Sequence, residues 1–266
     1  MDWREGFEES GYLSEGVTKH VPSMRDEIAD WFALADDVNK ALMWVAASGV
    51  KAAKTSAWNP KAVAVRTLLR ACGTFQGVLL LTERGMVAES RTLARSLIED
   101  AFAIGALHDN PDLFVKMLKD DSNESRRLQA KFMMAEKLVT DSAAHDKLKA
   151  AIDRMEKADI LSPKKVAALG PLLKQYLSYQ RLSDDAAHLS AKSLDRHVFA
   201  APKRTGWHYK IGPGSPDENA ATLHHTILAA LPIGIGITQM LGEPEGNRIF
   251  ADLADRFHAM APVQVI

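Results

Sequence analysis

The residues of this chain best suited to chemistry lie in one stretch, Tyr179-Gln-Arg-Leu-Ser-Asp-Asp-Ala-Ala-His188. On a regular helix each residue advances about 100°, so Arg181 and His188, seven apart, project nearly the same way. Asp184 stands four residues before His188, within reach of its imidazole, and Asp185 stands four after Arg181, within reach of the guanidinium. An arginine, a carboxylate and a histidine on one face suit acid–base work on a phosphodiester. His188 would move a proton, Asp184 would orient the ring, and Arg181 would clamp the phosphate and stabilise developing negative charge. The same spacings also occur in ordinary surface ion pairs worth a few tenths of a kcal/mol.

A second stretch supplies a partner. Arg91, Arg95 and Glu99 recur at four-residue steps and form one polar stripe on an otherwise apolar helix. Buried arginine and glutamate are costly unless paired, so Arg95 and Glu99 are expected either as a structural ion pair or as one side of a shared site. In the second case the stripe faces Tyr179, Ser183 and His188 across a polar pocket between two helices, in the place where helical bundles commonly hold ligands.

Arg181 followed by six residues and His188 resembles the Arg-x(4–6)-His motif of the HEPN superfamily. That resemblance implies a helical domain, a dimer with two motifs facing across a cleft, and metal-independent RNA cleavage in bacterial defence or toxin–antitoxin systems. Leu182 departs from the pattern, because those nucleases usually carry a polar residue directly after the arginine; the departure bears on catalysis more than on fold. A second resemblance covers residues 60 to 240. Gly85-Met-Val-Ala-Glu-Ser-Arg-Thr-Leu-Ala-Arg-Ser-Leu-Ile-Glu99, followed by Tyr179-x-x-Leu-Ser183 and His188, is similar to an uncharacterised bacterial family of helical domains. It implies no reaction, and it makes Tyr179, Ser183 and His188 the marked positions rather than Arg181.

Common alternatives lack their residues. No Glu-x-x-His pair suited to a di-iron bundle, no His-Glu-x-x-His and no cysteine pair occurs, so no metal or other cofactor is expected. His224 and His225 are adjacent, so their rings diverge and they are read as surface or hydrogen-bonded core histidines. Gly212-Pro-Gly214 and Gly234-Ile-Gly236 are not phosphate loops, and no Gly-x-Ser-x-Gly elbow is present.

Net charge is −1, so there is no global pull toward nucleic acid or anionic membranes. The charge is uneven. Residues 1–37 hold ten acids and three bases, whereas 191–210 hold Lys192, Arg196, Lys203, Arg204 and Lys210 against Asp195. That basic segment also carries Trp207, His208 and Tyr209, and rings beside cations suit single-stranded RNA, so any RNA contact is expected through 191–210; the alternative is a solvated excursion that buries Trp207. The single cysteine, Cys72, excludes an internal disulfide and fits a reducing compartment, and the acidic start lacks a signal peptide's apolar region, so a cytoplasmic location is expected. Thr226–Leu241 is apolar but short for a bilayer and interrupted by Pro232, Gly234 and Gly236, so it reads as a buried helix or helix pair and no membrane contact is expected.

The elements that must position these residues are helices. Asn59-Pro60, Asn110-Pro111, Ser162-Pro163 and Ser215-Pro216 each place a capping side chain before a first-turn proline. Apolar residues recur at helical steps from Ser23 to Ala47, from Pro60 to Arg84-Gly85, from Val87 to His108, and from Pro111 to Asp141 with a possible break at 120–123. Shorter helices are expected at 143–158, 163–169, 172–180 and 182–196, and longer ones at 215–241 and 245–260. Only 197–213 reads otherwise, as a short β-hairpin or ordered loop. The expectation is an all-α helical bundle with that one excursion. Residues 1–58 form an acidic helical segment, and 59–266 form the main bundle domain, continuous with it. Two functions follow: a dimeric HEPN-like RNA-binding protein or ribonuclease, or a non-catalytic interaction or ligand-sensing module built on a structural polar pocket.

Overall fold

In the computed structural model, residues 2–200 and 206–260 are described, the side chain of Ala200 excepted. Among them twelve α-helices form the bundle: α1 (Phe7–Ser10), α2 (Glu15–Glu27), α3 (Ala29–Ala52), α4 (Pro60–Thr82), α5 (Val87–Asp109), α6 (Pro111–Ala135), α7 (Ser142–Arg154), α8 (Pro163–Ala167), α9 (Tyr176–Leu182), α10 (Ala191–Asp195), α11 (Pro216–Leu241) and α12 (Pro244–Ala259). Between α10 and α11, β1 (Val198–Ala200) and β2 (Trp207–Tyr209) pair antiparallel with Phe199 opposite His208. This is the all-α bundle with a short hairpin. Lys203 and Arg204 of the basic segment lie outside the described residues.

The proline-marked starts are set by their caps, with one exception. Asn59 accepts a hydrogen bond from the Lys61 amide (3.0 Å), Ser162 from Lys165 (3.4 Å), and Ser215 from Glu218 (3.3 Å) in a reciprocal capping box. Asn110 does not cap α6; its Nδ2 instead donates to the Leu169 carbonyl (2.6 Å), tying the α5–α6 corner to the end of α8. The expected helix from Ser23 is divided at Ile28, whose backbone leaves the helical region (φ −133°), so that α2 and α3 are separate rods. α6 runs unbroken through 120–123.

The core is one cluster drawn mainly from α3, α4, α5, α11 and α12 and joined by Phe114 of α6, Val166 of α8 and Leu182 of α9, with Phe75, Phe102, Leu97, Ile104 and Phe250 fully buried. Trp31, Val38, Leu42 and Val45 of α3 belong to it, so residues 29–52 pack in the same core as the helices after residue 59. α11 runs as one helix through Pro232 at the centre of the bundle. Its small residues are required by neighbours: a Cβ at Gly234 would meet the Phe250 ring at 2.1 Å, and one at Gly236 would meet Ile104 at 2.6 Å. α4 and α11 are each long and apolar enough to cross a membrane, but half of the apolar window in α4 and 72% of that in α11 lie inside the bundle, which accounts for the composition.

α11 also carries His225, at 1% exposure and with neither ring nitrogen hydrogen-bonded. The expectation of a surface or hydrogen-bonded core histidine is therefore corrected. Burial first, then the charges of His224, Arg91 and Arg181, push its pKa down to about 4, so it stays neutral near pH 7. His224 packs instead on the rings of Trp31 and Phe257.

The α4–α5 turn is held at Gly85, whose φ of +72° is open to glycine at little cost. Its carbonyl accepts from the Gly214 amide (2.9 Å), and a Cβ there would lie 2.5 Å from Pro213. The hairpin's return strand is thereby anchored at the foot of α5, directly before α11 begins.

Candidate functional site

Tyr179–His188 is not one regular helix. α9 ends at Leu182, residues Ser183–Ala187 form a single π turn closed by the His188 amide donating to the Ser183 carbonyl (3.3 Å), and His188 itself is extended (φ −123°, ψ 148°). A π turn advances each residue by less than 100°, so the seven-residue spacing that aligned Arg181 with His188 no longer does so. Asp184 is exposed and no hydrogen bond joins it to His188; its carbonyl accepts from the Ser190 hydroxyl (2.6 Å) at the start of α10. Asp185 does not pair with Arg181. The expected single face of Arg181, Asp184 and His188 is corrected on these grounds, with Arg181 and His188 both exposed.

The turn has the shape its buried partners impose. Asp185 is 5% exposed, and its Oδ2 accepts from Arg91 (2.6 Å) on α5 and from Arg196 (2.7 Å) after α10. Arg91, at 2% exposure, also donates to Thr222 (3.1 Å) and to the Glu218 carbonyl (3.3 Å) on α11. Burial depresses the Arg91 pKa, and the Asp185 carboxylate beside it opposes that shift. Arg196 closes the network on Glu218 (2.9 Å), the capping-box residue of α11. Losing Asp185 would strand a buried guanidinium, which costs about 3–5 kcal/mol in comparable pairs.

One turn further along α5 the polar stripe serves a different neighbourhood. Arg95 Nε donates to Ser183 Oγ (2.7 Å), another of its nitrogens donates to the Tyr179 hydroxyl, and its guanidinium lies 4.4 Å from the Tyr179 ring centre. Ser183 returns a hydrogen bond to the Tyr179 carbonyl (2.8 Å), and Glu99 pairs with Arg95 at 3.4 Å. Burial and then the Glu99 carboxylate raise the Tyr179 hydroxyl above the usual phenol range, so it remains a neutral donor. The structure therefore brings Tyr179, Ser183, Arg95 and Glu99 together. It places Arg91 in the separate Asp185 network and leaves His188 at the surface.

Tyr179, Arg95 and Glu99 form one wall of a cavity of about 620 Å³ between α4, α5, α6, α8 and α9. Its inner surface is apolar, from Phe102, Ala103, Phe114, Leu118, Leu161 and Val166. Leu161 is fixed because its amide donates to Asp121 on α6 (2.7 Å). Arg66, Thr67 and Arg70 of α4 and Trp58 of the preceding loop complete the rim. Arg66 donates to the Ala57 carbonyl (3.0 Å) and so holds that loop beside α4.

Asp100, at 1% exposure, lies in the wall beneath Arg70, with which it pairs, while its Oδ2 is buried without a partner. Burial raises its pKa to about 7; Arg70 works in the opposite direction, but it is more than half exposed and its charge is screened by solvent. Trp58, Arg66, Arg70 and Asp100 were not picked out by the spacing of the sequence. One signal was available: α4 contains Lys61, Arg66 and Arg70 and no acidic residue, so its arginines must find partners, or ligands, beyond their own helix. Among the described residues no group of three histidine, cysteine, aspartate or glutamate side chains converges as a metal site.

Fold and site together define an all-α bundle with an arginine-rimmed, apolar-floored pocket beside a π turn pinned by a buried ion pair. The chain belongs to DUF5677, a family of unknown function, which matches it over residues 61–204 and so spans the π turn and the lining of the pocket apart from Trp58. No curated protein and no solved structure matches it.

The Asp100 carboxyl generates a pH signature. Its folded-state pKa lies above the free value of 3.8, so the folded chain holds the proton longer. Its contribution to stability is therefore full below pH 3.8 and is lost as pH rises toward 7. Urea unfolding of wild type and Asp100→Asn across that range is expected to show the variant gaining on wild type as pH rises. A difference independent of pH would contradict the assignment.

Proposed function

We propose that the chain is a helical ligand-binding module whose site is the pocket behind Arg95 and Tyr179. The observation that carries this reading is the cavity of about 620 Å³, with an apolar floor, four aromatic side chains (Trp58, Phe102, Phe114 and Tyr179) and three arginines lining it. That is the combination of apolar volume and few oriented polar groups that small-molecule sites use. Arg95 is already oriented by Ser183 and Tyr179, so a ligand would meet a side chain whose ordering entropy has been lost in folding. The role we assign is sensing or carriage rather than catalysis, on the apolar volume and the arginine rim. A cytoplasmic location belongs to the same reading and is supported by the single buried cysteine.

Thr67 lines the rim and is half-buried, so Thr67→Trp would fill the cavity while leaving the core in place. Ligand-observed NMR with a fragment library is expected to give hits on wild type that the variant loses. The absence of hits, or hits indifferent to the substitution, would overturn the reading.

The exposure of Arg181 and His188 favours a second reading, a HEPN-like RNA-binding protein or ribonuclease. There His188 would serve as acid or base and Arg181 as phosphate clamp on a homodimer. Trp207 and Tyr209, exposed on the hairpin beside Lys210, would offer bases a stacking surface. Under it, single-stranded RNA is cleaved by wild type and left intact by His188→Ala with helicity unchanged. Intact RNA with wild type, or equal cleavage by both, rejects the ribonuclease, and no shift of the RNA in a native gel rejects RNA binding as well.

A further inference from the structure

We propose that the pocket's ligand is an organic anion with an apolar or aromatic body, its charged head seated at the mouth beside Arg66 and Trp58, within the field of Lys119. This rests on the pocket reading above and adds the ligand's chemistry. The charges of the pocket divide into matched and unmatched groups. Arg95 is paired with Glu99, and Arg70 with Asp100, so neither guanidinium is left with a full uncompensated charge. Arg66 on the rim, and Lys119, which lies outside the lining but against the rim's Trp58, are different. Both are exposed, and among the described residues neither has a carboxylate partner.

Both cations gather on one indole. The Arg66 guanidinium lies 5.6 Å and the Lys119 ammonium 5.1 Å from the Trp58 ring centre. Both therefore add positive potential at an indole that lines the pocket mouth, and an anionic head bound there would gain from both. The two cations come from different helices, α4 and α6, and the indole from the loop before α4, so the arrangement is not the periodic charge of a single exposed face.

Behind this mouth the cavity is apolar, closed by Phe102, Phe114 and Leu161, and offers the body of a ligand burial but few hydrogen bonds. A polar, fully charged solute would leave that floor unfilled. A neutral apolar molecule would leave the two cations unmatched. A carboxylate or phosphate joined to an apolar or planar group satisfies both ends.

Isothermal titration calorimetry on the full chain separates the possibilities, with decanoate against decan-1-ol and adenosine 5′-monophosphate against adenosine as paired probes. The anionic member of at least one pair is expected to bind about tenfold or more tightly than its neutral counterpart. Which pair responds distinguishes a carboxylate from a phosphate head. Lys119→Gln and Arg66→Gln, each checked for helicity by circular dichroism, are expected to lower anion affinity by about tenfold and leave the neutral probes unchanged. Because Arg66 also holds Ala57, Lys119→Gln is the cleaner variant. If the neutral probes bind as tightly as the anions, or if Lys119→Gln leaves the anion's affinity intact, the anion assignment fails and the pocket reading stands. If no member of either pair binds wild type, both fall.

Discussion

The arrangement of the site depends on one buried ion pair, Arg91 with Asp185. Two charges removed from water are tolerated only when each meets its partner and further donors or acceptors in good geometry. Arg91 meets that condition with Thr222 and the Glu218 carbonyl, and Asp185 meets it with Arg196. Those partners lie on α5, α11, the π turn and the segment after α10, so a single network fixes four pieces of chain relative to one another. It also sets the backbone. To put Asp185 on Arg91 and Ser183 on Arg95, two residues apart in sequence, the chain widens into a π turn rather than continuing α9.

The pocket follows from that constraint. Ser183 holds Arg95, Arg95 holds Tyr179, and Tyr179 stands as a wall of the cavity. The floor is independent of it and comes from ordinary core packing of α5, α6 and α8, with Leu161 ahead of α8. The site is therefore an apolar bowl with one wall held by polar contacts. His225, neutral and unpaired beside the same network, adds a buried polar cost that the fold carries with no evident structural return.

Much of this was legible in the residues. Helical spacing and proline-marked caps gave the bundle and most of its boundaries, and the Gly85 turn followed from the stop before Val87. The stripe Arg91, Arg95 and Glu99 reads either as a structural ion pair or as a face toward Tyr179, Ser183 and His188. In the structure Arg95 pairs with Glu99 and also meets Tyr179 and Ser183, Arg91 turns to Asp185, and His188 lies at the surface. The failures share a cause. Reading Arg181, Asp184 and His188 as one face assumed a constant rotation per residue, and the π turn that breaks it is imposed by Arg91 and Arg196, distant in sequence. Asn110 failed as a cap because a tertiary acceptor, the Leu169 carbonyl, took its amide. Asp100 was invisible because its neighbour Glu99 fitted the helical stripe, whereas Asp100 answers to Arg70 on another helix. Pairings between helices leave little trace in spacing along one of them.

The most direct test of this account is amide hydrogen exchange in Asp185→Asn, which removes the charge and keeps the shape. If the Arg91–Asp185 pair fixes the site, exchange should accelerate through residues 176–195 and the hairpin, while α3, α4 and the centre of α11 keep their protection. Unchanged protection across 176–195 in that variant would contradict it, because the π turn would then be holding itself.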